Sequence, residues 1–185
     1  HKEYRRQRQM CIRDSLQRIE PSALSTGSWH NLVATYDGSN TSAGIKLYKA
    51  GSLISSTDDS VGTYAGMASQ QGSLRLGQWE FNSSVMSGLI DEVAVFNSEL
   101  SASDVTSLAA SRGAHIVDDL SLNPLAYYRM GEDDSLTDGQ TGISQITDAS
   151  GNGNHATQAT PENQPTASVN PCLLYTSPSP RDVEE

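Results

Sequence analysis

The chain has 185 residues, with 12 Lys and Arg against 22 Asp and Glu and a formal net charge of −10 at pH 7. An acidic balance with scattered basic residues lacks the electrostatic footprint of nucleic-acid binding or of docking on an anionic membrane. No run is apolar enough to span a bilayer.

The basic residues are unevenly placed. Five of them crowd residues 1–15, HKEYRRQRQMCIRDS. No apolar run follows, so a secretory signal fails, and the stretch is neither Ser-rich nor amphipathic as a transit peptide would be. The other end, CLLYTSPSPRDVEE, explains it. Met10 to Ser15 can be written ATGTGTATAAGAGACAG followed by the last base of a Ser codon. The reverse complement, CTGTCTCTTATACACAT, read from its second base, gives Cys172 to Thr176. Two ends that are antisense translations of one short DNA resemble the translated transposon end and adapters of a sequencing library. Residues 1–15 and 172–185 are therefore expected to be translated adapter, not native, and are set aside in reasoning about the fold. Between them six basic residues face seventeen acidic ones, a balance of −11. Both cysteines, Cys11 and Cys172, lie in the ends, so the remainder offers no disulfide and no thiolate metal site.

From Leu16 onward, short β-prone runs alternate with clusters of Ser, Gly, Asn and Asp, the pattern of an all-β protein. WHNLVATY (29–36) predicts a strand that ends at the turn pair Asp37-Gly38. IKLYK (45–49) and SLISS (52–56) flank Ala50-Gly51 and predict a hairpin. LRLGQ (74–78) predicts another strand. MSGLIDEVAVF (86–96) predicts the strongest one, with Ile90, Glu92, Ala94 and Phe96 on one side and Leu89, Asp91, Val93 and Val95 on the other. One short helix is expected near 101–110. Ser101 and Asp104 form a capping-box-like pair, Val105, Leu108 and Ala109 an apolar stripe, and Arg112 and Gly113 suit its end. PLAYYRM (124–130) predicts a further strand and TDASGNGN (147–154) a tight loop. ATQATPENQPTA (156–167) predicts an extended connection or an edge.

This order resembles the laminin G-like members of the concanavalin A-like jelly rolls. The resemblance rests on Trp29-His30, Thr35-Tyr36-Asp37-Gly38, Leu47-Tyr48 with Gly51, Gly88 to Val93, and Leu100-Ser101 through Val105. Lys49-Ala50 departs from it, because an acidic residue usually precedes the hairpin glycine. Leu125 to Glu132 and Asp148 to Asn154 resemble the opening of the same kind of module. The resemblance implies an incomplete antiparallel β-sandwich. Residues 16–114 would be the C-terminal part of one module, 115–123 a linker, and 124–171 the N-terminal part of a second. The last strand of the first module would then meet the first strand of the next. Residues 88–96 and 125–130 are expected to pair antiparallel, with the helix bridging them, burying Tyr127 or Tyr128 against Val93 and Val95.

The resemblance further implies a non-catalytic module of a multi-module protein, extracellular or on a virion surface, that binds a glycan or a cell-surface protein. The alternatives are an accessory domain of a glycan-degrading enzyme, or a spacer without ligand. Catalysis by paired carboxylates is not expected: Asp91 and Glu92 are strand neighbours pointing to opposite faces, so they cannot flank one glycosidic bond. Calcium is the cofactor the sequence points to. Hard cations take several oxygens, and Asp148, Asn152 and Asn154 lie in a loop whose glycines let carbonyls turn inward, with Asp91 as a further candidate. Trp79 and Tyr48 are the candidate aromatic platforms for a sugar ring, whereas Trp29 is expected in the core.

Overall fold

The computed structural model describes residues 16–22, 24–62, 64, 74–79, 84–110, 121–130 and 134–168. These fall into two compact units, one drawing its described residues from 16–64 and 98–110, the other from 74–97 and 121–168. Every strand pairing in them is antiparallel.

In the first unit, β1 (Arg18–Ile19) pairs with β5 (Thr57–Asp58), and β2 (Leu32–Tyr36), β3 (Ile45–Lys49) and β4 (Ser52–Leu53) form a three-stranded meander. β2 and β3 run in full register from Leu32 opposite Lys49 to Tyr36 opposite Ile45. The Asp37-Gly38 turn closes through local bonds. Asp37 Oδ1 accepts the Ser39 N–H at 2.8 Å, and the Tyr36 hydroxyl accepts the Asn40 N–H at 2.8 Å. The β3–β4 hairpin turns on Ala50 and Gly51, both left-handed at φ 49° and 77°, as a two-residue primed turn requires.

The helix, α1 (Ala102–Ala110), starts as its cap residues dictate. Ser101 Oγ accepts the Asp104 N–H at 3.1 Å, and Asp104 Oδ2 accepts the Ser101 N–H at 3.0 Å, a reciprocal capping box. Val105 on its apolar stripe is fully buried, and among the described residues Tyr48 and Leu100 are the other buried apolar side chains of this unit. Arg112 and Gly113, expected at the helix end, lie outside the described residues.

The hairpin turn rests directly on α1. A Cβ added at Gly51 would stand 2.9 Å from Ala109 Cβ and 3.2 Å from Thr106 Cα, while the Thr106 hydroxyl donates to the Gly51 carbonyl at 3.2 Å. Gly51→Ala therefore meets both a left-handed backbone and a wall. It is expected to cost about 2 kcal/mol in a denaturant titration, more than the ~1 kcal/mol of the backbone preference alone.

In the second unit, β6 (Gln78–Trp79) pairs with β7 (Ser84–Val85), β8 (Val93–Val95) with β9 (Ala126–Tyr128), and β10 (Gln145–Ile146) with β11 (Ala156–Thr157). The expected union of 88–96 with 125–130 is present: Val93 faces Tyr128, Ala94 faces Tyr127 and Val95 faces Ala126. All three residues of β9 are buried.

The strands are shorter than the sequence suggests. The run 86–96 contributes only Val93–Val95, because Glu92 is left-handed at φ 51° and breaks the extended chain. Asp91 Oδ1 accepts the Glu92 N–H at 2.9 Å within that break. Asp91 and Glu92 are thus in a kink, and the alternation read for them as strand neighbours does not apply. Gly77, at φ 74°, likewise leaves only Gln78 of the run 74–78 in a strand.

Candidate functional site

The most heavily hydrogen-bonded segment of the second unit is the loop that follows β10. Its entry is fixed by Asp134, whose carboxylate accepts the Thr147 N–H at 3.1 Å and the Thr147 hydroxyl at 2.5 Å. Asp148 is 5% exposed and forms the hub. Its Oδ1 accepts the N–H groups of Tyr127 and Ser150, and its Oδ2 accepts that of Asn154, each at 2.9 Å. The Tyr127 carbonyl in turn accepts the Ala149 N–H at 2.8 Å. The loop thus extends the hydrogen bonding of β9 on the side away from its ladder with β8.

The asparagines face the start of β9. Asn152 Nδ2 lies 3.1 Å from the carbonyl oxygens of both Pro124 and Leu125, and Asn154 Nδ2 donates to the Leu125 carbonyl at 2.9 Å. The Tyr128 hydroxyl closes the set by donating to the Asn154 carbonyl at 2.6 Å. One carboxylate satisfies main-chain donors while two amides satisfy main-chain acceptors, so an irregular backbone is held without a ladder.

These bonds govern how Asp148 titrates. Burial pushes its carboxyl up, but the hydrogen bonds from Ser150, the Tyr127 N–H and the Asn154 N–H outweigh that and hold it at about 2. In the unfolded chain the group returns to its ordinary 3.8. The folded pKa is depressed, so the stabilisation is complete above pH 3.8 and drains as pH falls from there towards 2. An acid series of unfolding curves is expected to show a loss of about 1–2 kcal/mol across that window, allowing for solvent screening, and Asp148→Asn should lack it.

Beside the loop lies an open cleft of about 500 Å³, lined by Asn97, Ser121, Asn123, Pro124, Leu125, Ser150 and Asn152. Among the described residues its polar lining is amide and hydroxyl, and the half-exposed Leu125 adds an apolar surface.

The sequence-derived candidates are only partly gathered here. Asp148, Asn152 and Asn154 do come together, but as a hydrogen-bonded staple: both Asp148 oxygens are engaged by main-chain N–H groups, and the asparagines turn nitrogens towards the carbonyls. Calcium would have to displace those donors. Asp91 sits in the kink before β8, and among the described residues no three His, Cys, Asp or Glu side chains converge on a common point. Tyr48, expected as a platform for a sugar, is only 5% exposed, and its small exposed part lines a second open cleft of the first unit with Leu32, Val33 and Ile54. Trp79 lies in β6 opposite Ser84, and its side chain is outside the described residues. Trp29, expected in the core, is half-buried. Asn97, Ser121 and Asn123 were not singled out by the sequence, because short polar residues in turn segments carry no periodicity that marks them.

Among the described residues, antiparallel strand pairs with one capped helix, and with turns built on Asp37-Gly38 and Ala50-Gly51, define a β-sandwich class in which binding surfaces are made by loops. The family model described as laminin G-type, concanavalin A-like lectin/glucanases superfamily, matches residues 13–106. The chain belongs to that superfamily. Neither the curated proteins nor the solved structures give a match to it.

Proposed function

We propose that the protein is a non-catalytic binding module whose cleft beside the 148–154 loop takes the hydroxyl groups of a glycan. Domains of laminin G type commonly bind carbohydrates or proteins, and are typically extracellular, which is where this reading places the protein. The observation that carries the proposal is the lining: three asparagines and two serines around an open cleft, set on a backbone fixed by Asp148. Amides and hydroxyls both donate and accept, as sugar hydroxyls do, and the volume suits a small ligand.

The test is a glycan array followed by titration of the hits, run with calcium and with a chelator. Asn97→Ala and Asn123→Ala are the informative variants, since neither residue belongs to the Asp148 staple. Each is expected to weaken binding about tenfold through a lost hydrogen bond. The occupied Asp148 oxygens support binding that is equal in both buffers; binding only with calcium would return the metal to the site. An array without hits would favour a spacer.

A further inference from the structure

We infer that Asn152 is a site of spontaneous covalent modification, cyclising with Gly153 to a succinimide and opening to an aspartyl or isoaspartyl linkage, and that this unfastens the loop from β9. Asn152-Gly153 is the one Asn-Gly step in the chain. The reaction needs the main-chain nitrogen of the following residue to reach the asparagine Cγ, and a side chain on that residue would crowd the approach. Here Gly153 is left-handed at φ 74°, and nothing lies within 4 Å of where a Cβ would be. Gly151 on the other side, at φ 81°, is equally open. Asn152 itself is exposed, and among the described residues the Gly153 N–H makes no hydrogen bond that would withhold it.

The step balances with water as the sole co-reactant. Gly153 N bonds to Asn152 Cγ, the Cγ–Nδ2 bond breaks, and Nδ2 leaves as ammonia with the proton from Gly153 N. Water then opens the imide at either carbonyl. The consequence is specific to this fold. Nδ2 is the atom 3.1 Å from the Pro124 and Leu125 carbonyls and 3.1 Å from Ser150 Oγ. A carboxylate there only accepts, so it opposes both carbonyls instead of holding them. The isoaspartyl form also adds a backbone carbon ahead of Asn154, whose N–H must stay on Asp148 Oδ2. Bonds to Nδ2 in the intact loop slow the reaction, and the open glycines on either side leave it a route.

The experiment holds the folded full chain in mildly alkaline buffer and maps its peptides over time. The expected result is a gain of about one dalton at Asn152, with isoaspartyl product, ahead of every other described asparagine. Aged protein should melt below fresh protein, and Asn152→Asp should show the same fall without ageing. Gly153→Ala should suppress the mass change. Conversion of other asparagines while Asn152 stays intact would overturn the assignment. An Asn152→Asp variant that melts with the parent would overturn the coupling to β9.

Discussion

Replacing Asp148 with alanine is expected to destabilise the second unit by about 3–4 kcal/mol, among the largest effects of any single polar change in the described residues. The carboxylate is 5% exposed and accepts three main-chain N–H groups, from Tyr127, Ser150 and Asn154. Removing it strands the Tyr127 donor within a buried strand, where water cannot substitute. The other two donors belong to the half-buried Ser150 and the exposed Asn154 and are more readily resolvated, which keeps the total below three full penalties. Asp148→Asn keeps the shape but turns one acceptor into a donor facing an N–H, so it should lose nearly as much. Urea unfolding followed by tyrosine fluorescence measures both. The experiment also decides the calcium question, because a hydrogen-bonded hub predicts the same loss with calcium and with a chelator. A loss that appears only with calcium would show that the carboxylate works through the metal.

The elements that were legible in the sequence are those whose cause is local. Ala50-Gly51 between two apolar runs specifies a tight hairpin, and Ser101 with Asp104 specifies a helix start; both form as read. The union of β8 with β9 was legible for a different reason. It came from the order of motifs in a resemblance, since nothing local in Val93–Val95 says that its partner is Ala126–Tyr128. Two-residue pairs such as β1 with β5 and β10 with β11 were not seen, because alternation needs four or more residues to register. Glu92 shows the limit most clearly. Its neighbours alternate as a strand should, yet its φ of 51° ends that strand. At the candidate site, composition showed oxygen-rich side chains in a glycine-rich loop. It could not show whether those side chains face a cation or the protein's own backbone, because that depends on Pro124, Leu125 and Tyr127, more than twenty residues away.

Tyr127→Ala should cost about 3–5 kcal/mol and dissolve the β8–β9 ladder, the largest effect expected of an apolar truncation here. The ring is fully buried, and its main chain is held on both sides: it faces Ala94 in the ladder, while its N–H and carbonyl bond Asp148 and Ala149 of the loop. The side chain has a second role, because its hydroxyl donates to Glu92 Oε2 in the kink that precedes β8. The ring therefore connects loop, strand and kink, and truncating it opens a cavity where all three meet. Tyr127→Phe separates the two roles. It keeps the buried ring and removes only the hydroxyl, leaving a half-buried carboxylate without that donor, and about 1–3 kcal/mol is expected. Hydrogen exchange locates the effect: amides of 93–95 and 126–128 should lose protection together in Tyr127→Ala, and amides of 45–49 in the first unit should keep theirs. If residues 93–95 stayed protected while 126–128 opened, β8 would be held by something other than this ladder, and the pairing would not be what stabilises it.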